Sequence, residues 1–302
     1  MTTAGSIEDR AVGALLGLAT GDAVGTTLEF SRRDTNPPLT DMVGGGPFGL
    51  EPGQWTDDTA MALALGYSLA EKGTFDAHDC MARFSDWFLR GAYSCTGTCF
   101  DIGMATRAAL GQFRSDGNPF AGSSASHTAG NGSLMRLSPV PIWGARRGED
   151  VVADIARQQS CLTHGAQECQ AACEGFAVLA ARAILGASRD DVLAPFAFDG
   201  PPRIAEVFAG SWRDKSRDQI QSSGYVVHSL EAALWSVANT TSFEEAILLA
   251  ANLGDDADTV AAITGQLAGA LYGASGIPGH WRARLAWHDK IEKLALDLLG
   301  EG

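Results

Sequence analysis

The chain has 302 residues, of which 45% are hydrophobic and 19% are charged, a composition typical of a compact globular protein with a large core. Its formal net charge of −14 argues against a nucleic-acid backbone or an anionic membrane surface as the main partner. The first residues carry acids where a signal peptide needs a basic start, so we expect a cytoplasmic protein. The six cysteines lack CxxC spacing, which favours buried thiols over a metal site.

The first predicted helix covers residues 7–22, with Ser6 as its cap. Glycines recur every four residues on one of its faces, and the same spacing recurs in a predicted helix at 256–273. They are Gly13, Gly17, Gly21, Gly265, Gly269 and Gly273. Because glycine weakens a helix by about 1 kcal/mol relative to alanine, we expect a close approach of these two helices near the centre of the fold. Residues 259–279 are uncharged and long enough to span a bilayer, but their small residues favour a buried core helix.

Two long loops, at 31–54 and 115–133, interrupt the helical pattern, and loops of that length are often functional. Further helices are predicted between and after them. These lie at 57–72, 76–90, 101–112, 134–143, 148–162, 165–186, 189–194, 203–210, 225–238, 242–252 and 278–299. Strand patterns are almost absent, so the predicted class is all-α. We expect one domain over residues 1–302.

Two acidic clusters stand at predicted helix starts, far apart in sequence. The first is Thr56-Asp57-Asp58, and the second is Asp255-Asp256-Ala257-Asp258-Thr259. Capping explains one acid in a cluster but not three neighbouring carboxylates, whose repulsion a bound cation would relieve. With no His or Cys nearby, the oxygen ligands favour Mg²⁺, Mn²⁺ or Ca²⁺ over Zn²⁺. We therefore expect the clusters to meet around metal ions.

Other candidates have an equally simple structural explanation. The segment Ala129–Ser133 is predicted to lead into a helix and to offer backbone N–H groups to a phosphate, but Asn-Gly is also an ordinary turn. Asp101 is either a helix cap or a site carboxylate. His164 and Tyr225 are either site residues or structural ones. No GxSxG, Cys–His or HExxH pattern indicates another hydrolytic mechanism.

Together these motifs resemble the ADP-ribosylglycohydrolase family. The matching pieces are Gly21-Asp22-Ala23 with Glu29, then 54–59, 130–136, Thr163-His164 and 252–259, in the family's order. The resemblance implies a single compact orthogonal helical bundle with a binuclear Mg²⁺ or Mn²⁺ centre in a cleft. It also implies hydrolysis of the N-glycosidic bond of an ADP-ribosylated protein, with ADP-ribose as product. Arginine is the preferred acceptor, because Asp101 could pair with the departing guanidinium.

The resemblance also assigns roles by position. The implied metal ligands are Thr56, Asp57, Asp58, Asp256, Asp258 and Thr259. The implied diphosphate loop consists of Gly130, Asn131, Gly132 and Ser133. His164 would line the ADP-ribose cleft and Tyr225 would lie near the adenine. Glu29 would be a mobile acid beside the metals, and Asp57, Asp58 or Glu29 would orient the attacking water. Asp255 stands where the family often has glycine, and whether it joins the site is open.

Three alternatives remain at this point. A hydrolase of serine-linked, nucleic-acid-linked or O-acetyl-ADP-ribose would use the same site, and a non-catalytic relative would only bind ADP-ribose. A class I prenyl or terpene synthase also pairs two acid clusters with Mg²⁺. That class needs a DDxxD motif, and Met61 stands where the third acid of the motif would be. The oligomeric state does not follow from the sequence.

Overall fold

The computed structural model describes residues 3–300, and in that range it contains 14 α-helices and no β-strand. The helices are α1 Ile7–Gly25, α2 Asp57–Lys72, α3 Ala77–Arg90, α4 Met104–Asp116, α5 Pro139–Gly144, α6 Glu149–Cys161, α7 Gln167–Ile184, α8 Arg189–Val192, α9 Pro202–Phe208, α10 Val226–Ala238, α11 Phe243–Ala251, α12 Ala257–Tyr272, α13 Gly279–Arg284 and α14 His288–Leu299. The predicted all-α class is confirmed. The ends of the predicted domain, residues 1–2 and 301–302, lie outside the described residues.

Helices α1 and α12 run antiparallel along each other at the centre of the core, with their backbones in direct contact. A Cβ atom built on Gly13 would lie 2.3 Å from the carbonyl oxygen of Gly269, and one on Gly17 would lie 2.2 Å from that of Gly265. Such distances leave no room for a side chain, so the predicted close approach is confirmed. Gly273 also lies against α1, because a Cβ on Gly13 would be 2.6 Å from its carbonyl carbon; it ends α12 with a φ of +74° beside the Asp9 carboxylate.

The central position of α1 also explains its composition. Residues Ile7–Leu28 have a mean hydropathy of 1.3 over 22 residues, which is enough by length and composition to cross a membrane. However, 89% of that apolar window is buried inside the protein, as expected for a core helix. The expectation of a core helix after residue 259 also holds, since α12 is buried from Ala257 to Ala270.

Two predicted helices differ from the structure. Residues 132–136 form turns, and α5 begins only at Pro139, where a proline's fixed φ suits the first helical position. The prediction that the glycine-rich loop opens directly into a helix is therefore wrong. The predicted helix 278–299 is interrupted between α13 and α14, where Trp287 has a φ of +59° and packs edge-on against Trp55 at 5.4 Å.

Three chain segments converge on one end of the α1–α12 pair. Helix α1 ends beside the first residues of α12, because a Cβ on Gly25 would lie 2.4 Å from the carbonyl oxygen of Ala257. The N-terminus of α2 reaches the same point through hydrogen bonds to Asp22. This convergence brings the two acidic clusters together.

Candidate metal centre and substrate cleft

Asp22, near the end of α1, fixes the start of α2. One carboxylate oxygen accepts hydrogen bonds from the backbone N–H and hydroxyl of Thr56, at 2.8 and 2.9 Å. The other accepts from the backbone N–H and hydroxyl of Thr59, at 3.0 and 2.6 Å. Asp22 is 0% exposed, and it satisfies N–H groups that the first turn of a helix leaves unpaired. It therefore orients the first acidic cluster.

The second acidic cluster, at the start of α12, lies against the first. The Thr56 hydroxyl is 3.4 Å from the Oδ2 atom of Asp258, and the Thr259 hydroxyl is 3.4 Å from the Oδ1 atom of Asp58. The Asp258 backbone N–H donates to the Oε2 atom of Glu29 at 3.3 Å. The two clusters thus meet in space, as the sequence predicts.

Three of these acids are grouped tightly enough to share one cation. Glu29, Asp256 and Asp258 each offer a carboxylate oxygen, and the three oxygens lie within 4.8 Å of one another. Glu29 and Asp258 are buried, and Asp256 is half-buried. Carboxylates at this spacing repel one another in a poorly solvated site unless a positive charge lies among them.

The pKa values show the same repulsion. Burial, followed by the charge of Asp258, raises the pKa of Glu29 to about 12, that of Asp256 to about 7 and that of Asp101 to about 9. Burial, followed by neighbouring carboxylates, also raises the pKa values of Asp57 and Asp58 well above the ordinary aspartate value.

The residues present suit a divalent cation. The Oδ2 atom of Asp58 is buried and has no hydrogen-bond partner within the described residues. None of the ion pairs formed in the described part of the chain neutralises this carboxylate. The donors are carboxylate and hydroxyl oxygens, which hard cations prefer. The structure contains an acidic cluster that could bind metal.

Asp101 belongs to this cluster electrostatically and does not cap α4. The N-cap residue of α4 is Gly103, and Asp101 lies in the preceding loop with a φ of +59°. Burial, followed by the charge of Asp258, raises the pKa of Asp101, and burial, followed by the charge of Asp101, raises that of Asp57. The loop before α4 thus adds one more carboxylate.

Asp255 lies at the edge of the site, with an exposed side chain. Its backbone braces the segment after Glu29: the Asp255 N–H donates to the carbonyl of Ser31 at 2.7 Å, and the Phe30 N–H donates to that of Asp255 at 2.8 Å. It is not a member of the group formed by Glu29, Asp256 and Asp258. It therefore contributes to the site through its backbone, while its charge adds to burial and the charge of Asp258 in raising the pKa of Asp256.

The glycine-rich loop reaches the acidic cluster through Asn131. The Asn131 side-chain amide donates to Asp256 at 2.7 Å and to the hydroxyl of Ser229 at 2.8 Å. Its backbone N–H donates to the carbonyl of Gly224 at 3.1 Å. Asn131 therefore orients Asp256, a role that the sequence does not predict.

His164 packs beneath this loop. A Cβ on Gly132 would lie 2.7 Å from the Cε1 atom of His164, so only glycine fits there without a shift. Burial, followed by the charge of Arg136, lowers the pKa of His164 to about 3, so the imidazole is neutral. The buried Ser133 hydroxyl pairs with that of Ser160 at 2.8 Å and points away from the loop surface.

Tyr225 borders the loop on its other side. It is half-buried, forms an antiparallel bridge with Gly130, and donates its hydroxyl proton to Glu168 at 2.7 Å. Its neighbour Gly224 faces the acidic cluster, since a Cβ there would lie 3.2 Å from the Oδ2 atom of Asp256. The loop, Tyr225 and the acids thus line one continuous region.

The all-α fold gathers carboxylate and hydroxyl oxygens at the junction of α1, α2 and α12, an arrangement that could bind a divalent cation. The chain belongs to the ADP-ribosylglycohydrolase family, whose sequence profile matches residues 3–302. Enzymes of this family use divalent metals. The family resemblance seen in the sequence is confirmed.

Characterised relatives share most of their length with this chain. It is 50% identical over 290 residues to ADP-ribosylarginine hydrolase Tri1 of Pseudomonas putida (strain GB-1), covering 96% of this chain and 78% of that protein. The corresponding protein of Serratia proteamaculans (strain 568) is 47% identical, with coverage of 96% and 79%. The ADP-ribosyl-[dinitrogen reductase] glycohydrolase of Rhodospirillum rubrum is 33% identical, with coverage of 94% and 92%.

A solved structure described as an ADP-ribosylglycohydrolase-related protein complex is similar to this fold. It superposes with a TM-score of 0.87 at 41% sequence identity, covering 97% of this chain and 98% of that one. The predicted helical bundle of this family is therefore confirmed.

Proposed function

We propose that this chain hydrolyses the N-glycosidic bond between ADP-ribose and arginine side chains of modified proteins, and releases free ADP-ribose. The observation that carries this proposal is the buried acidic cluster, which combines both sequence clusters with Glu29 and Asp101. The similarity to two proteins named ADP-ribosylarginine hydrolase supports the choice of arginine. We further propose that the whole chain acts as one domain in the cytoplasm.

The acidic cluster would hold two divalent cations, and Mg²⁺ and Mn²⁺ both suit its oxygen donors. The proposed ligands are Thr56, Asp57, Asp58, Asp256, Asp258 and Thr259. Cations bound there would supply Lewis acidity and offset the repulsion between the carboxylates. Asp22 and Asn131 would act as positioning residues, because each donates to or accepts from a proposed ligand.

The protein's own groups account for the remaining chemistry. As the C1–N bond of the ribose breaks, positive charge develops on the sugar ring, and the nearby carboxylates stabilise it. A water oxygen forms the new bond to C1, and its proton passes to Glu29, Asp57 or Asp58. The departing guanidine takes up the proton that the attacking water releases through that carboxylate, and Asp101 can pair with the resulting guanidinium.

The other predicted residues would bind the ADP-ribose part. The backbone of the Gly130–Ser133 loop would face the diphosphate, and neutral His164 would support that loop from below. The half-buried ring of Tyr225 would contribute to the adenine side of the cleft. Because Ser133 directs its hydroxyl to Ser160, we assign its contribution to its backbone only.

The linkage preference tests this proposal. Equal amounts of arginine-linked, serine-linked and O-acetyl ADP-ribose substrates are incubated with the protein and Mg²⁺ or Mn²⁺, and released ADP-ribose is quantified. We expect the arginine-linked substrate to react fastest, by on the order of 100-fold, because buried polar groups reject analogues that leave them unpaired. Faster release from another linkage would contradict the arginine assignment. Binding of ADP-ribose without any release would indicate a non-catalytic relative.

The Asp101→Asn variant refines the same test. It should slow release from arginine more than from O-acetyl-ADP-ribose, since only the former leaves as a guanidinium. Asp190→Asn is the matched control, because the Asp190 side chain is 98% exposed and outside the site.

A further inference from the structure

Three phenylalanine rings, from the loop after α1 and the loop before α4, pack together, and two of them directly adjoin Glu29 and Asp101 in sequence. Phe30 directly follows Glu29, and Phe100 directly precedes Asp101. Phe48, from the loop after α1, joins them: its ring centroid lies 6.2 Å from that of Phe30 and 5.3 Å from that of Phe100. We call Phe30, Phe48 and Phe100 the phenylalanine rim.

The chain joins the rim to the acids at two points. Glu29 accepts a hydrogen bond from the Asp258 backbone N–H, and burial, followed by the charge of Asp258, raises the pKa of Asp101. The residues directly next to these two acids are Phe30 and Phe100, whose rings both pack against Phe48. The rim is therefore anchored at the two acids that neighbour Asp258.

Burial does not explain the position of these rings. Phe30 has a φ of +59°, which is unfavourable for a residue with a side chain, yet its ring remains 68% exposed. Phe48 lies at the tip of a tight turn, where Gly45 and Leu50 are paired by two backbone hydrogen bonds. Backbone strain that leaves an aromatic ring in solvent is typical of a binding surface.

Asp256 and Asp258 face different parts of the cleft. Asp256 contacts Asn131 of the glycine-rich loop and approaches Gly224, whereas Asp258 donates its backbone N–H to Glu29, whose carboxylate also lies within 4.8 Å of that of Asp256. In the proposed function the glycine-rich loop receives the diphosphate. The leaving group then lies on the opposite side, beside Asp258, where the rim stands.

We infer that the phenylalanine rim receives the ADP-ribosylated arginine side chain of the substrate protein. This inference rests on the proposed function and adds the residues that recognise the acceptor. A guanidinium is planar and weakly hydrated, so it stacks on aromatic faces while it pairs with a carboxylate. The rim supplies the faces and Asp101 supplies the carboxylate. A serine side chain has neither the charge nor the plane to use them.

The test compares KM values for ADP-ribosyl-arginine as a small substrate. Phe30→Leu should raise KM about two- to fivefold, the effect of one exposed cation–π contact, with little change in kcat. Phe30→Tyr, which keeps an aromatic face, should retain the wild-type KM. Replacing all three rim residues with leucine should raise KM about 10- to 100-fold if the contacts add.

Two controls separate this inference from its alternatives. Phe120→Leu changes an exposed phenylalanine of another loop and should leave KM unchanged. Free ADP-ribose, measured by calorimetry, should bind the triple variant as tightly as the wild type. An unchanged KM in the triple variant would overturn the inference alone. If the triple variant bound free ADP-ribose more weakly by the same factor as its KM rises, the rim would contact the ADP-ribose part of the substrate and not the arginine. An inactive wild type would overturn the proposed function and the inference together.

Discussion

The contact between α1 and α12 yields a sharp prediction for the variant Gly17→Ala. The added Cβ would lie 2.2 Å from the carbonyl oxygen of Gly265, which is backbone and cannot rotate away. The two helices would have to separate by roughly 1 Å, since protein interiors are packed closely and yield little. The displaced helices carry Asp22 and the Asp256–Thr259 cluster, so the perturbation reaches the metal centre.

The size of the effect follows from two opposing terms. Alanine favours a helix over glycine by about 1 kcal/mol, while overpacking a well-packed core costs about 1–3 kcal/mol or more. Because this clash involves backbone on both helices, we expect a cost at the upper end of that range, so that the free energy of unfolding falls by about 2 kcal/mol after the helix-propensity gain is subtracted. Gly111→Ala in α4 is the matched control, since a Cβ there meets nothing within 4 Å. It should stabilise the protein by up to about 1 kcal/mol.

Urea denaturation of both variants and the wild type, with metal present and absent, measures these differences. The midpoint for Gly17→Ala should be well below that of the wild type, and the midpoint for Gly111→Ala should be equal or higher. Equal stability of the two variants would show that the close packing of α1 on α12 does not require glycine at position 17.

Three further predictions concern the site. Asp22→Asn removes an acceptor for Thr56 or Thr59, and should weaken Mn²⁺ binding about 10- to 100-fold by calorimetry; unchanged affinity would refute its positioning role. Without metal, Asp22 and Asp256 have pKa values of about 7 in the folded state, compared with an ordinary value of 3.8. Above pH 4 the folded state therefore binds more protons than the unfolded state. Stability should therefore fall as pH rises from about 4 to 7, and saturating Mn²⁺ should remove that fall; a rise with pH would contradict it. Gly132→Ala should lower the melting temperature and weaken ADP-ribose binding, because its Cβ would meet His164 at 2.7 Å; wild-type values would refute this.

Features that depend on local periodicity were predictable from the sequence. The four-residue spacing of Gly13 and Gly17 marks one face of α1. A helix face made of glycine is expected where another backbone packs closely against it. The two acid clusters were predictable because neighbouring carboxylates between apolar helices need a partner. Both signals are contained in short stretches of sequence.

Features that depend on distant contacts were not predictable. Asp22 was part of a recognised motif, yet nothing in its neighbours shows that its carboxylate accepts four hydrogen bonds from α2. The available signal was an acid that follows a long uncharged run in the middle of α1. The late start of α5 and the break at Trp287 likewise depend on tertiary packing, which overrides helix propensity. The phenylalanine rim joins residues from two loops and has no local pattern.

If the buried acidic cluster holds metal and supports hydrolysis of ADP-ribosyl-arginine, the reaction must depend on both the metal and the clustered acids. The most direct measurement is release of ADP-ribose from an arginine-modified protein by the wild type, by Asp58→Asn with Asp256→Asn, and by the exposed control Asp190→Asn. We predict rapid release by the wild type and the control with Mg²⁺ or Mn²⁺, none after chelation, recovery when metal is restored, and none by the double variant. Release that persists in the double variant or in the presence of chelator would contradict the account.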